Sequence, residues 1–279
     1  MNGIFDTKRL LAIATAAVLA SAAPVSVSQS NGEDDDDDEE ELEFEVAQLY
    51  FELNDTDGDL GIHGLVDGDA WKSLQIAGPE RDDEEEQVLM SVWVRNNLRR
   101  QGMTEFFFES AEPPFDELTP AQFFSRFPQG IYEMEGTTLE GEEIEGEVRL
   151  SHVMAGPPRN VRVNGEPGAP NCDSEELPEV SGPVTIDWAP VTKSHPTIGK
   201  PNVDVSVQQY QFVGEIEREG RVPEEISFSV DLPRSVTQFT LPTEFTRLSP
   251  DGEVKYEIIV KLENGNQTAV ESCFEVESE

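Results

Sequence analysis

The ten residues EVKYEIIVKL, 253–262, decide the fold. Val254, Tyr256, Ile258, Val260 and Leu262 are apolar at every second place, with Lys255, Glu257, Ile259 and Lys261 between them. A period of two with one apolar face marks a half-buried antiparallel strand, because successive side chains point to opposite sides of the pleat. After a turn, TAVESCFEV (268–276) continues as a further strand. Upstream, VTIDWAPV repeats the alternation through Val184, Ile186 and Trp188. Inward-facing Trp188, Ile186, Tyr256, Ile258 and Val260 are expected to share one core.

Other features fall into order around these strands. Val161 and Val163 suit a first strand, and Trp188 ends the second. Tyr210 and Phe212 lie in the third, and Leu248, Pro250, Gly252 and Tyr256 lead into the sixth. That order resembles a fibronectin type III domain over residues 157–277, although the run from Leu248 to Tyr256 is longer than the family's usual turn. The resemblance implies an immunoglobulin-like β-sandwich. It implies no chemistry, since such modules are scaffolds with many uses.

Residues 44–155 read as a second β domain of no recognisable family. FEVAQLYFELN, GIHGLVDG, AWKSLQI, QVLMSVWVRN, TEFFFES, IYEMEG and EVRLSHV follow one another, separated by Gly, Pro or acidic turns. Short strands at this spacing predict a sandwich or barrel. One helix interrupts them: Thr119 can cap it, Pro120 fits its first position, and Gln122 completes a capping box. Phe123, Phe124 and Phe127 then share a face and are expected in the core. The fold class is therefore all-β, with two tandem sandwich-like domains.

Composition restricts the partners. Against 58 acidic residues stand 19 Lys and Arg, a net charge of -39. A phosphate backbone needs a basic face, so nucleic acid is excluded, and anionic membranes are disfavoured for the same reason. Cations, basic proteins and cationic surfaces are permitted. Residues 1–22 read as a signal peptide: Lys8 and Arg9 precede the apolar run Leu10–Ala20, and Ala20-Ser21-Ala22 offers a cleavage site. That run is too short to span a bilayer, and no later one could. Residues 23–43 contain EDDDDDEEELE and read as a disordered acidic linker, since like charges repel and nothing apolar offsets ordering entropy. The protein is thus expected to be secreted or periplasmic. There, two cysteines predict a Cys172–Cys273 disulfide. Phe274 and Val276 read as inward, which would turn Cys273 outward and put the bond at the sheet's edge or surface.

The strongest candidate site is NDTDGDLG with VDGD shortly after. Asn54, Asp55, Asp57, Asp59, Asp67 and Asp69 supply hard oxygens on glycine-bent turns, and calcium takes six to eight such ligands. The strand between the two turns would have to fold back as a hairpin to unite them. Leu60 and Val66 stand where an EF-hand loop needs Gly and a bidentate Glu, which removes that reading. Two ordinary Asp-Gly turns are the alternative. Catalysis has thin support: His63, His152 and His195 are scattered and suit surface or strand positions. The chain carries neither G-x-S-x-G nor H-E-x-x-H. Glu105, Glu109 and Glu112 are the best carboxylates for a hydrolase. Asn54-Asp55-Thr56 and Asn266-Gln267-Thr268 match the glycosylation pattern. The function expected is a non-enzymatic binding or structural protein, calcium-modulated, with a protein or polysaccharide partner. A secreted hydrolase using carboxylates in the N-terminal domain is the alternative.

Overall fold

The computed structural model of the chain describes residues 42–79, 87–218, 220–249 and 252–277. The expected signal peptide, the expected linker as far as residue 41, and Pro250 lie outside the described residues. From Glu40 onward the chain forms one compact unit.

Its N-terminal half holds β1 (Leu42–Glu43), β2 (Val46–Asn54), β3 (Asp59–Ala77), β4 (Val88–Trp93), α1 (Asn96–Gln101), β5 (Met103–Glu109), α2 (Pro120–Arg126), β6 (Gly130–Thr138) and β7 (Glu143–Leu150). Strand β3, 19 residues long, is the hub. Its first half pairs with β2 on one side and β5 on the other. Its second half pairs instead with β6 and β4. The registers shift between Asp67 and Trp71, where the partners change. With elements packed on both faces, residues 60–66 are buried without a break. Phe51, Leu53, Trp71, Ile76, Tyr132 and Met134 form the centre of this core. Helix α2 has the expected capping box at Thr119 and Gln122. It brings Phe123 and Phe124 edge-on to Phe51, at ring-centroid distances of 5.7 and 5.2 Å.

The C-terminal half holds β8 (Arg159–Val163), β9 (Glu166–Pro167), β10 (Glu179–Val180), β11 (Thr185–Ala189), β12 (Val207–Glu217), β13 (Glu225–Pro233), β14 (Gln238–Thr240), α3 (Thr243–Thr246), β15 (Glu253–Leu262) and β16 (Gln267–Val276). It is a sandwich. One layer is ordered β14-β11-β8-β9; the other continues the larger sheet as β16-β15-β12-β13. The alternation read from the sequence holds: Val254, Tyr256, Ile258, Val260 and Leu262 are all buried. Trp188 of one layer meets Tyr210 of the other at 5.5 Å, and the Tyr210 hydroxyl accepts from the Val191 N–H at 2.9 Å.

The predicted disulfide joins Cys172 to Cys273, but its placement differs from the expectation. Phe274 faces the core and Cys273 the opposite side, yet Cys273 is fully buried. The loop after β9 carries Cys172 onto that side of the sheet, where it bonds Cys273; on the core side of the same strand, Ser272 Oγ donates to the Ala169 carbonyl at 2.7 Å. Strand parity gives a side chain's direction, and a loop laid over the sheet decides whether that direction meets water.

The two cores divide between Met154 and Ala155, and main-chain and side-chain bonds join the halves. The start of β16 pairs parallel with the end of β2, Gln267↔Glu52 to Ala269↔Asn54. Asn266, fully buried, accepts from the Phe51 N–H at 2.9 Å and donates to the Ser151 and Val153 carbonyls. Ile198, from a loop of the C-terminal half, packs into the N-terminal core.

Candidate functional site

Where β2 turns into β3, Asn54 organises the chain. Its Oδ1 accepts from the N–H groups of Thr56 and Asp57 at 3.0 and 3.2 Å, and its carbonyl accepts from Gly58 at 2.9 Å. Gly58 has φ +70°, which residues with a Cβ rarely adopt. This Asx turn is then bound to the C-terminal half. The Asp55 N–H donates to Ala269 O at 2.9 Å, and Thr56 Oγ1 both accepts from the Glu271 N–H and donates to the Glu271 carbonyl. Asp55 Oδ1 accepts from His195 Nε2 at 2.8 Å. His195 Nδ1 accepts the N–H groups of Thr197 and Ile198, which places the neutral ring's proton on Nε2, facing Asp55.

Asn54, Asp55, Asp57 and Asp59 are thus brought together, and Asp67 and Asp69 are not. Strand β3 runs straight on from Asp59 instead of folding back, and eight residues at about 3.3 Å each put Asp67 about 26 Å along it. Asp67 stands opposite Val46 and Glu105. The six residues therefore do not form one ligand shell. Among the described residues, Cys172, Glu253 and Cys273 are the one group of three His, Cys, Asp or Glu side chains whose ligand atoms lie within 4.8 Å of one another, and both sulfurs are spent in the disulfide.

A belt of carboxylates extends from the turn along the outer face of the sheet. Glu112, from the segment after β5, lies across Gly61, where a Cβ would collide with it. Its Oε1 meets His63 Nε2 at 3.0 Å. Glu109 stands directly opposite His63, and Glu52 opposite Gly61. Burial pulls the His63 imidazole down, but the Glu112 bond and the charges of Glu52 and Glu109 outweigh it and raise its pKa. Burial raises Asp57, and it pushes Asp59 up to about 7, helped by Glu112 and Asp57. On the other side of the turn, Lys255 meets Glu271, Glu257 and Glu215 at 2.8, 3.3 and 3.7 Å. Burial still pushes Glu257 up to about 7.

The histidines are structural joints and not surface residues: His63 and His195 are buried, and His152 reaches the Phe127 carbonyl at 2.8 Å while lying against Phe124. A histidine between glycines, as in GIHGL, leaves room for an overlying side chain, and that was the available signal for Glu112. Of the proposed hydrolase carboxylates, Glu109 and Glu112 converge on His63, whereas Glu105 is exposed opposite Asp67. Asn266, fully buried and fully bonded, cannot carry a glycan.

A second acidic feature sits at the other end of the N-terminal half. An open groove of about 580 Å3 is lined by five glutamates of β1, β6 and β7 together with Leu42, Phe44, Ala47 and Met134. Glu133 stands directly opposite Glu147, and Glu135 opposite Glu145, with Glu43 beside Glu145.

No family model and no curated protein matches the chain. Among solved structures, it is similar to the tetra-tandem repeat in the extending region of a large adhesion protein, at 10% identity and TM-score 0.24, covering 83% of this chain and 49% of that one. It therefore spans about half the length of that chain. It is also similar to the FN1-FN3 domains of chicken CNTN1, at 11% identity and TM-score 0.28, over 84% and 68% of the two chains. A 1.5-MDa bacterial ice-binding adhesin gives 13% identity and TM-score 0.22, over 86% and 67%. Superpositions this loose carry no argument about function.

Proposed function

We propose that the chain is an exported, non-enzymatic binding or structural protein whose acidic N-terminal groove receives a basic segment of a partner protein. The C-terminal half is of fibronectin type III type: its first, second and fifth long strands, β8, β11 and β14, face the third, fourth, sixth and seventh, β12, β13, β15 and β16. That is an immunoglobulin-like order with the fourth strand on the larger layer. The disulfide suits an oxidising compartment. The observation that supports the binding role is the groove, where five glutamates of β1, β6 and β7 give a cationic chain a complementary surface. A polysaccharide partner would lack that charge complementarity. Calcium modulation belongs to this proposal at Asp57 and Asp59, the two carboxylates of the turn whose pKa values are raised.

Isothermal titration of the protein with a lysine-rich peptide tests it. Binding that weakens about tenfold in Glu135→Gln/Glu147→Gln is expected, a loss of about 1.4 kcal/mol. The hydrolase alternative draws on Asp59, Glu112 and His63. Cleavage of a polysaccharide or peptide that Glu112→Gln abolishes would overturn the non-enzymatic reading.

A further inference from the structure

Gln87–Thr104 contains no Asp or Glu and carries Arg95, Arg99 and Arg100. Its centre is α1, which links β4 to β5, two strands that both pair with β3. None of its six residues is buried, although tertiary packing normally supplies most of a helix's stability. Arg95 occupies the N-cap without a side-chain cap bond, and a cation there opposes the helix dipole. Arg95 and Arg99, one turn apart, repel each other. Only Arg99 and Arg100, in the last turn, suit the dipole. Beside them Leu98 is 52% exposed, and Trp93, two residues before the N-cap, is 69% exposed. Among the described residues no carboxylate pairs with any of the three arginines.

Trp and Arg are the side chains that most often anchor protein interfaces. Planar guanidinium groups take carboxylates two hydrogen bonds at a time, while Trp93 and Leu98 offer an apolar seat. We propose that Trp93, Arg95, Leu98, Arg99 and Arg100 form a docking surface for a short acidic protein segment bearing a large apolar side chain. Charge complementarity selects the sign of the partner, and charge distribution selects its size. A long polyanion such as nucleic acid or a sulfated polysaccharide would run off this small patch onto the surface of a chain with net charge -39. A short segment need not. This deepens the binding reading above and uses a surface separate from the glutamate groove.

Fluorescence anisotropy tests it, with a short synthetic Asp/Glu peptide carrying one Leu and one Phe, followed by competition with heparin and single-stranded DNA. The expected result is salt-sensitive binding of the peptide that weakens at least about tenfold in Trp93→Ala and in Arg99→Ala/Arg100→Ala. Exposed residues cost little stability, so both variants should melt within the ordinary surface range. The conservative Arg99→Lys/Arg100→Lys should recover only part of the affinity, because the ammonium lacks the fork. The groove variant Glu135→Gln/Glu147→Gln should bind the acidic peptide as wild type does, which separates failure of this surface from failure of the groove. Absence of peptide binding, binding unchanged in both patch variants, or heparin or DNA binding more tightly than the peptide would each overturn the proposal.

Discussion

The two halves bury comparable cores, but only one of them can be read by parity. In the C-terminal half β15 keeps the same neighbours, β12 and β16, from end to end. One face therefore stays inward, and the alternation from Val254 to Leu262 survives in the sequence. In the N-terminal half β3 changes partners midway, and residues 60–66 are buried on both faces. Its sequence, DLGIHGLV, accordingly shows no clean period. Alternation reports a constant environment along a strand, and a strand shared between two sets of neighbours erases it.

Matched tryptophans sharpen this comparison most. Trp71 and Trp188 are both buried, one in each core. Replacing either by Ala is expected to cost about 3–5 kcal/mol, measured by urea denaturation. If the N-terminal core were a loose appendage, Trp71→Ala would cost under about 0.5 kcal/mol, as surface changes do. The disulfide lies within the C-terminal half. Cys172→Ala/Cys273→Ala should lower stability by about 2–4 kcal/mol, since a loop of 101 residues is released in the unfolded chain. Intact mass before and after reduction verifies the bond.

The carboxylate belt makes stability depend on pH with a definite sign. Asp59 and Glu257 titrate at about 7 in the fold, against ordinary values of 3.8 and 4.5. The folded chain therefore holds more protons, and stability falls as pH rises from about 4 to 7. His63, raised above 6.5, adds stability that is lost as pH rises through its folded value. Melting temperature should drop between pH 5 and pH 8, with Asp59→Asn and Glu257→Gln each reducing the drop by on the order of 1 kcal/mol after solvent screening. A melting temperature that rises over this range would contradict the burial assigned to these groups.

The smallest effect separates the two Asp clusters. Asp67→Asn/Asp69→Asn should change stability by under about 0.5 kcal/mol, whereas Asp55→Ala removes the partner of buried His195 Nε2 and should cost about 1–3 kcal/mol. Equal losses would mean that the clusters act together after all. Thermal melts with calcium and with chelator, on wild type and on Asp57→Ala/Asp59→Ala, complete this contrast. Calcium modulation at the turn requires a shift in the first protein and none in the second.

Much of the architecture was legible in the sequence: the alternating strands, Trp188 and Tyr256 in the core, the α2 capping box and the disulfide pairing. Each depends on neighbours in sequence or on a count of cysteines. The site was less legible. Six Asx residues looked alike in NDTDGDLG and VDGD, yet the fold unites only Asn54 through Asp59, because the continuity of β3 is decided by its partners. His195, Glu271 and Asn266 act from more than a hundred residues away, and no local pattern marks them. Asn266 even carried the signature of a surface glycan site while serving as the buried bond centre between the halves.

The halves share one sheet, and Asn266 and the Asn54–Asp59 turn bind them into one unit. Differential scanning calorimetry of residues 23–279 tests this cooperativity. The expected result is a single transition whose calorimetric and van't Hoff enthalpies agree. Asn266→Ala, which strands the Phe51 N–H and the Ser151 carbonyl, should shift that transition down by about 2–3 kcal/mol or split it. Two separate transitions in the wild-type protein, with Asn266→Ala leaving both in place, would show that the halves fold independently.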